Sequence, residues 1–156
     1  MAHSAARRAN VGGGDVDDLR ALVDGYAACA DARDAAGFRG LFTEDAVLTV
    51  VEPDGTVRPP NVGLDVIAQI PVRLGRYERT RHLVGEHRVD GGPGPDEATG
   101  SVACEAHHHR RGTDTVMTIT YEDRYRRTDA GWHIAGRTVR IEQRADRPVS
   151  DEEAAR

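Results

Sequence analysis

The sequence has only two cysteines, few aromatic residues and no long apolar run. Cys29 and Cys104 form no Cys-X-X-Cys pair and both fall in apolar patterns. We therefore expect two small buried side chains rather than a disulfide or a metal site. No apolar run approaches the roughly 18 residues that a membrane-spanning helix needs, and the N-terminus lacks a secretory apolar region. These absences predict a reduced, cytoplasmic protein without a membrane partner.

A concentrated basic segment is also missing. The formal net charge is −5 and the pI is about 5.8, with arginines interleaved among acids. Nucleic-acid binders usually carry a concentrated positive surface, so this balance argues against a nucleic-acid partner. The length of 156 residues and a hydrophobic content of 38% suit one domain. We expect that domain over residues 14–144, between a disordered N-terminus (1–13) and a flexible tail (145–156).

Residues 15–31 show the spacing of an amphipathic helix. The apolar positions recur every three or four residues, as in one buried stripe: Leu19, Leu22, Val23, Tyr26, Ala27 and Ala30. Asp31 continues that stripe, and a buried carboxylate is costly unless it is paired. Shorter helices are predicted over 34–42 and 63–76, the latter bent or broken at Pro71.

From Thr80 onward the pattern changes to long strands. Strands are predicted over 80–89, 97–110, 115–127 and 132–143, after an earlier strand at 46–51. Helices followed by a run of strands indicate an α+β domain, with three N-terminal helices packed on a curved antiparallel sheet. Long strands twist and bend, so we expect a cone-shaped α+β barrel with a hollow interior.

The chain resembles the nuclear-transport-factor-2-like superfamily and, within it, the SnoaL-like proteins. The segments that carry the resemblance are 38–47 (FRGLFTEDAV), Gly63 at the start of a helix, 80–83 (TRHL) and 131–134 (GWHI). The likeness covers about residues 15–143. It implies the cone-shaped fold and a homodimer formed through the sheet. It does not imply one reaction, because this fold hosts enzymes, carriers and binding modules.

The layout is similar to scytalone dehydratase and hexachlorocyclohexane dehydrochlorinase, family members that perform elimination with a His–Asp dyad and no cofactor. The resemblance implies His82 and Asp31 as the catalytic pair, both inside the cone. Tyr26 replaces a lysine of the dehydrochlorinase, which argues against dehydrochlorination and leaves a hydroxyl to bind a substrate oxygen. Arg137 corresponds to an arginine of the same enzyme and is a second substrate-binding candidate.

The run His107-His108-His109 offers further candidates. By resemblance to scytalone dehydratase, one of these histidines faces the cavity, and His107 and His109 are predicted as substrate contacts. Those two share a strand face and could share a zinc ion with Glu105, but we expect no metal and no cofactor. Asp123 is a further substrate-binding candidate, because SnoaL-type cyclases use an aspartate as the base.

These residues predict a cofactor-independent lyase or isomerase of dehydratase type. His82 would remove a proton from a small, apolar, oxygenated molecule, and Asp31 would stabilise the imidazolium that forms. Two alternatives remain open at this point. One is a polyketide cyclase or epoxide hydrolase that uses strand carboxylates, and the other is a non-catalytic module that binds a small ligand.

Overall fold

The computed structural model describes residues 11–149. Most of the predicted N-terminal segment and tail, residues 1–10 and 150–156, lies outside the described residues. In chain order the elements are α1 (Gly13–Asp31), α2 (Ala35–Arg39), β1 (Phe42–Val51), β2 (Asn61–Val62), α3 (Leu64–Ile67), α4 (Gln69–Arg73), a short 3-10 helix (Leu74–Arg76), β3 (Arg79–Gly91), β4 (Glu97–Arg110), β5 (Thr113–Thr128) and β6 (Gly131–Pro148).

The strands form one six-stranded sheet in the order β2-β1-β6-β5-β4-β3. All neighbours are antiparallel except β1 and β6, which run parallel. The predicted α+β fold, with helices packed on one face of the sheet, is confirmed. The sheet is mixed, not antiparallel throughout, and it is open, with β2 and β3 at its edges. The rest of the sheet lies between β1 and β6 in the chain, and so long a connection permits parallel pairing that a hairpin forbids.

Helix α1 packs on the inner face of the sheet through the predicted apolar stripe, and all six stripe residues are buried. Its first turn is fixed by Asp15, whose carboxylate accepts hydrogen bonds from the Trp132 indole (3.0 Å) and the Arg127 guanidinium (3.2 Å).

No helix in residues 11–149 is both long and apolar enough to cross a membrane. Of the two cysteines, both unpaired, Cys104 is buried and Cys29 half-buried.

The predicted third helix is divided into α3, α4 and the 3-10 turn. Pro71 explains the division, because its ring cannot donate a hydrogen bond and clashes with the carbonyl four residues earlier. That carbonyl belongs to Ile67, the residue at which α3 ends. The break turns the following segment across the open end of the sheet.

Strand β6 is longer than predicted and runs to Pro148. Its end pairs with the start of β5, where Thr113 is opposite Pro148 and Thr115 opposite Asp146. Residues 145–148 therefore belong to the sheet and not to the expected tail.

A buried ion pair joins β5 to β6. Asp123 and Arg137 are direct cross-strand neighbours, and both side chains are fully buried. The guanidinium donates two hydrogen bonds of 2.7 Å to the two carboxylate oxygens, and the Tyr125 hydroxyl donates a third, of 2.6 Å. Burial disfavours the charged form of Arg137, but the adjacent Asp123 raises its pKa above the usual value. Removing the charge of either Asp123 or Arg137 would therefore leave the other buried without a counter-charge.

We expect Asp123→Asn to lower the free energy of unfolding by about 3–5 kcal/mol, because it leaves a buried guanidinium without its counter-charge. Glu122→Gln is the matched control on the same strand: its exposed pair with Arg140 also joins β5 to β6, and its loss should cost no more than about 1 kcal/mol. Urea unfolding followed by circular dichroism measures both. Equal losses for the two variants would contradict the structural importance of the buried pair.

Candidate active site

A cavity of about 440 Å³ lies between the inner face of the sheet and the helices. Its wall is largely apolar, formed by side chains that include Leu48, Ile70, Leu74, Met117, Ile119 and Ile141. The wall also includes two histidines, His82 and His108, and a group of charged residues. An apolar enclosure of this kind strengthens the electrostatic interactions made inside it.

His82 and Asp31 meet at this cavity. Asp31 is the last residue of α1, and His82 lies near the start of β3. The His82 Nδ1 atom is 2.6 Å from the Asp31 Oδ1 atom, and the His82 backbone N–H donates to Oδ2 at 2.9 Å. The imidazole is 8% exposed and lines the cavity. The structure therefore brings together the two residues predicted to form the dyad.

Two further residues hold the Asp31 carboxylate in place. The Thr80 hydroxyl donates to Oδ1 at 3.0 Å, and the Arg33 guanidinium donates in turn to the Thr80 hydroxyl at 2.7 Å. Burial alone would raise the pKa of Asp31, but the hydrogen bonds from His82 and Thr80 lower it below its usual value. Asp31 is therefore ionised at neutral pH.

An ionised Asp31 determines which nitrogen of His82 carries the proton. A nitrogen lone pair would repel a carboxylate oxygen at 2.6 Å, so hydrogen bonding assigns the proton of neutral His82 to Nδ1. The lone pair is then on Nε2. This arrangement leaves His82 able to accept a proton, with the resulting imidazolium next to a carboxylate.

His108 is the second histidine of the cavity wall. It lies on β4 with its ring centroid 5.6 Å from that of His82 and 4.5 Å from that of Tyr77. Burial, with the positive charges of His82 and Arg76 adding to it, lowers the pKa of His108 to about 4. A buried, neutral imidazole therefore lies beside the dyad. Its Nε2 atom has no hydrogen-bond partner within residues 11–149.

His107 and His109 lie on the opposite, outer face of the sheet, because alternate residues of a strand point to opposite sides. Neither lines the cavity, which corrects the expectation that they contact substrate. His107 lies 2.8 Å from Asp114 through Nδ1 and 3.0 Å from Glu105 through Nε2. Burial opposes protonation, but these two carboxylates raise the pKa of His107 above its usual value. The cluster is thus built around a histidine that favours its charged form.

Three of these side chains, His107, His109 and Asp114, are close enough to hold a metal ion. The surrounding donors do not suit one. The Arg79 guanidinium is 3.2 Å from Nδ1 of His109, so that nitrogen accepts a hydrogen bond and is not free to bind a metal ion. The Arg147 guanidinium also contacts Asp114, at 3.1 Å. This chemistry fits a network of ion pairs rather than a set of metal ligands.

Tyr26 lines the cavity as predicted, whereas Arg137 and Asp123 do not. The Arg137 guanidinium lies behind the cavity wall, 4.3 Å from the ring centroid of Tyr26 and 4.0 Å from that of Tyr121. Burial raises the pKa of Tyr26 to about 12, so its hydroxyl stays protonated. The predicted substrate contacts for Arg137 and Asp123 are therefore corrected to a supporting position beneath two tyrosines.

Sequence reasoning assigned no site role to Thr80 or Arg33, and it left open which of His107, His108 and His109 faces the cavity. Thr80 had a usable signal, because it precedes His82 by two residues and so shares its face of the strand. Arg33 had none: it reaches Thr80 from a left-handed backbone conformation with φ of 57°. His108 was one of three adjacent candidates, and the alternation of buried Val102, Cys104 and Ala106 along β4 was a usable signal for it.

Known proteins provide a comparison for this geometry. Residues 14–138 match the SnoaL-like domain, whereas no curated protein is significantly similar in sequence. Similar solved structures include the hexachlorocyclohexane dehydrochlorinase LinA Type2, with a TM-score of 0.72 and 15% identity over 83% of this chain and 86% of that chain. A Novosphingobium aromaticivorans DSM 12444 protein provisionally named as a scytalone dehydratase has a TM-score of 0.70 and 20% identity over 87% and 91%.

A third similar structure is that of Rv3472 from Mycobacterium tuberculosis, described as a protein of unknown function. Its TM-score is 0.70, with 25% identity over 85% of this chain and 78% of that chain. The two enzyme-named structures are below 25% identity and show a shared fold alone. The match to the SnoaL-like domain, in contrast, covers most of the chain. The protein therefore belongs to the SnoaL-like domain family.

Proposed function

We propose that this protein is a cofactor-independent lyase or isomerase in which His82 removes a proton from a carbon atom of a small oxygenated substrate. The observation that carries the proposal is the 2.6 Å contact between His82 and the ionised Asp31 at the wall of an apolar cavity. A positioned base of this kind contributes about 10²–10⁴-fold to the rate. The fold shared with a dehydrochlorinase and a protein named for a dehydratase supports the same class of chemistry.

In a dehydration, the His82 Nε2 atom takes the proton and the C–H electron pair becomes a carbon–carbon double bond. The neighbouring C–O bond breaks, and the leaving oxygen receives the proton held by His82 and departs as water. Neutral His108 can donate a hydrogen bond to the oxygen that gains charge. In an isomerisation, the same proton returns to a different carbon of the substrate.

The alternative that uses strand carboxylates has less support. Asp123 is fully buried and paired with Arg137 behind the cavity wall, and Glu105 lies on the outer face beside His107. Within the described residues the cavity wall includes a single carboxylate, Glu52, which is paired with Arg58 and Arg144. A binding module without catalysis remains an outcome of the experiments below, and the homodimer through the sheet stays a prediction.

We expect His82→Gln and Asp31→Asn each to lower kcat by about 10²–10⁴-fold, because one removes the base and the other its counter-charge. Turnover is measured on a panel of cyclic and aromatic β-hydroxy ketones, through the absorbance of the new conjugated double bond and deuterium uptake from D₂O. His133→Gln, near the start of β6 and outside the cavity wall, is the matched control and should keep full activity.

Unchanged turnover in the double variant His82→Gln/Asp31→Asn would contradict the proposal. Loss of that turnover on replacing Asp123 or Glu105 would then favour the cyclase or hydrolase alternative. Binding of panel compounds by the wild-type protein without any turnover would favour the binding module. Circular dichroism of each variant separates loss of chemistry from loss of fold.

Thr80→Val should lower kcat about tenfold while leaving KM unchanged, because it removes one hydrogen bond from Asp31, worth about 1.4 kcal/mol. Thr80 is a positioning residue, acting through Asp31 and not on the substrate. Thr80→Ser keeps the hydroxyl and should restore activity. A valine variant that keeps full activity would contradict this role, because valine retains the methyl group of threonine and lacks only the hydroxyl.

His108 should stay neutral down to a pH of about 4, which histidine NMR signals recorded against pH will measure. Free histidine titrates near about 6.5, so between these pH values the unfolded chain binds a proton that the folded chain excludes. Stability should therefore fall as the pH drops from about 6.5 to 4, by about 1–2 kcal/mol between pH 7 and 5. His108→Gln should lack this part of the loss, and an equal loss in that variant would contradict the assignment.

A further inference from the structure

The mouth of the cavity has a charge opposite to that of the whole chain. The chain carries a formal net charge of −5. The cavity wall, in contrast, includes four arginines and a single carboxylate, Glu52, which gives it a net charge of +3 with neutral histidines. A cleft lined mainly by positive charges attracts anions even when the protein is acidic overall.

Glu52 neutralises only part of this charge. Its carboxylate accepts a hydrogen bond from Arg144 at 2.8 Å and forms an ion pair with Arg58, so these two arginines already have an anionic partner. The pKa of Glu52 is held below its usual value, by Arg144 first, against the opposing effect of burial. Glu52 is thus already paired with two of the four arginines of the cavity wall.

Arg73 and Arg76, the other two arginines of the wall, form hydrogen bonds only with neutral side chains among residues 11–149. Arg73 donates to the side-chain oxygen of Asn61 at 3.0 Å. Arg76 donates to the Tyr77 hydroxyl at 3.1 Å and lies 4.9 Å from the centroid of that ring. Both guanidinium groups are exposed and border the cavity. A guanidinium presents several N–H donors in a planar fork that matches a carboxylate or phosphate.

A line of rings connects these arginines to the dyad. Arg76 lies against Tyr77, whose ring centroid is 4.5 Å from that of His108, and His108 is in turn 5.6 Å from His82. The charge of Arg76 also contributes to the lowered pKa of His108. A ligand held by Arg76 at the mouth therefore has a continuous apolar and aromatic surface along which to reach His82.

We propose that the substrate carries an anionic group, a carboxylate or phosphate ester, which Arg73 and Arg76 bind at the cavity mouth while its apolar body extends towards His82. This inference rests on the proposed function, because it places the reacting carbon at His82. It also narrows the substrate class from neutral oxygenated molecules to hydrophobic acids. The anionic end remains at the mouth, away from the Asp31 carboxylate.

The test compares three probes with one ring system: 2-naphthoate, its neutral amide 2-naphthamide, and 2-naphthyl phosphate. Binding is measured by calorimetry and naphthalene fluorescence. We expect an anionic probe to bind about tenfold or more tightly than the amide, from charge-assisted hydrogen bonds, with the preference declining as salt rises. Which anion binds more tightly distinguishes a carboxylate from a phosphate substrate.

In Arg73→Gln/Arg76→Gln the preference for the anions should fall to about twofold or less. The matched control Arg88→Gln/Arg140→Gln removes the same charge from exposed pairs outside the cavity and should keep the preference. An anion that binds no more tightly than the amide, or a preference that survives in Arg73→Gln/Arg76→Gln, overturns the proposal.

His82→Gln separates this inference from the proposed function, because binding at the mouth does not need the base. The variant should keep the preference for anions while losing turnover. Loss of turnover without any preference for anions in the wild-type protein refutes the anionic substrate and leaves the dyad in place. A preference for anions with turnover unaffected by His82→Gln refutes the dyad and leaves the anion site.

Discussion

The half-buried carboxylate of Asp31 is the constraint on which the site depends. A carboxylate at a helix C-terminus meets the negative end of the helix dipole, and burial adds a further cost. Both costs are offset by three hydrogen bonds from β3, two from His82 and one from Thr80. The same contacts attach the end of α1 to the start of β3. The hydrogen bonds to Asp31 therefore both hold α1 against β3 and orient the His82 imidazole.

Arg33, two residues after the end of α1, also contributes to these contacts. Its guanidinium donates to the carbonyl of Ala30 at 2.9 Å as well as to the Thr80 hydroxyl. A positive charge beside the last helical carbonyls is favourable, and it also offsets the charge of Asp31. A residue with φ of 57° costs about 1–3 kcal/mol. The contacts at the end of the helix compensate for that strain.

The sequence carried much of this information through periodicity. The helical spacing of apolar residues placed Asp31 in the buried stripe of α1, and the alternating strands placed His82 near the start of β3. The histidine run shows where such reasoning fails. Adjacent strand residues point to opposite faces, so a shift of one residue exchanges His107 for His108. The apolar alternation of Val102, Cys104 and Ala106, which continues unbroken along β4, places His108 on the inner face, and the prediction did not extend it into the histidine run.

The sequence also did not indicate which distant strand residues lie opposite each other. Asp123 and Arg137 were predicted separately as substrate contacts, because nothing local indicates that they are cross-strand partners. Once paired, their charges satisfy each other behind Tyr26 and Tyr121, and neither is available to a substrate. The parallel pairing of β1 with β6 is another contact between distant segments, and no turn signal in the sequence specifies it.

The Asp31–His82 pair and the Asp123–Arg137 pair differ in burial and in the identity of the base, and they therefore differ in whether they can transfer a proton. Asp123 and Arg137 are fully buried, and the pKa of Arg137 is raised, so that pair cannot exchange a proton near neutrality. The Asp31 pair has an imidazole as its base and borders the cavity, so a proton can arrive at His82 without exposing an unpaired charge. The neutral His108 next to it adds a hydrogen-bonding group and no charge that would oppose the imidazolium. Proton transfer is therefore favoured at one pair and excluded at the other by burial and by the identity of the base.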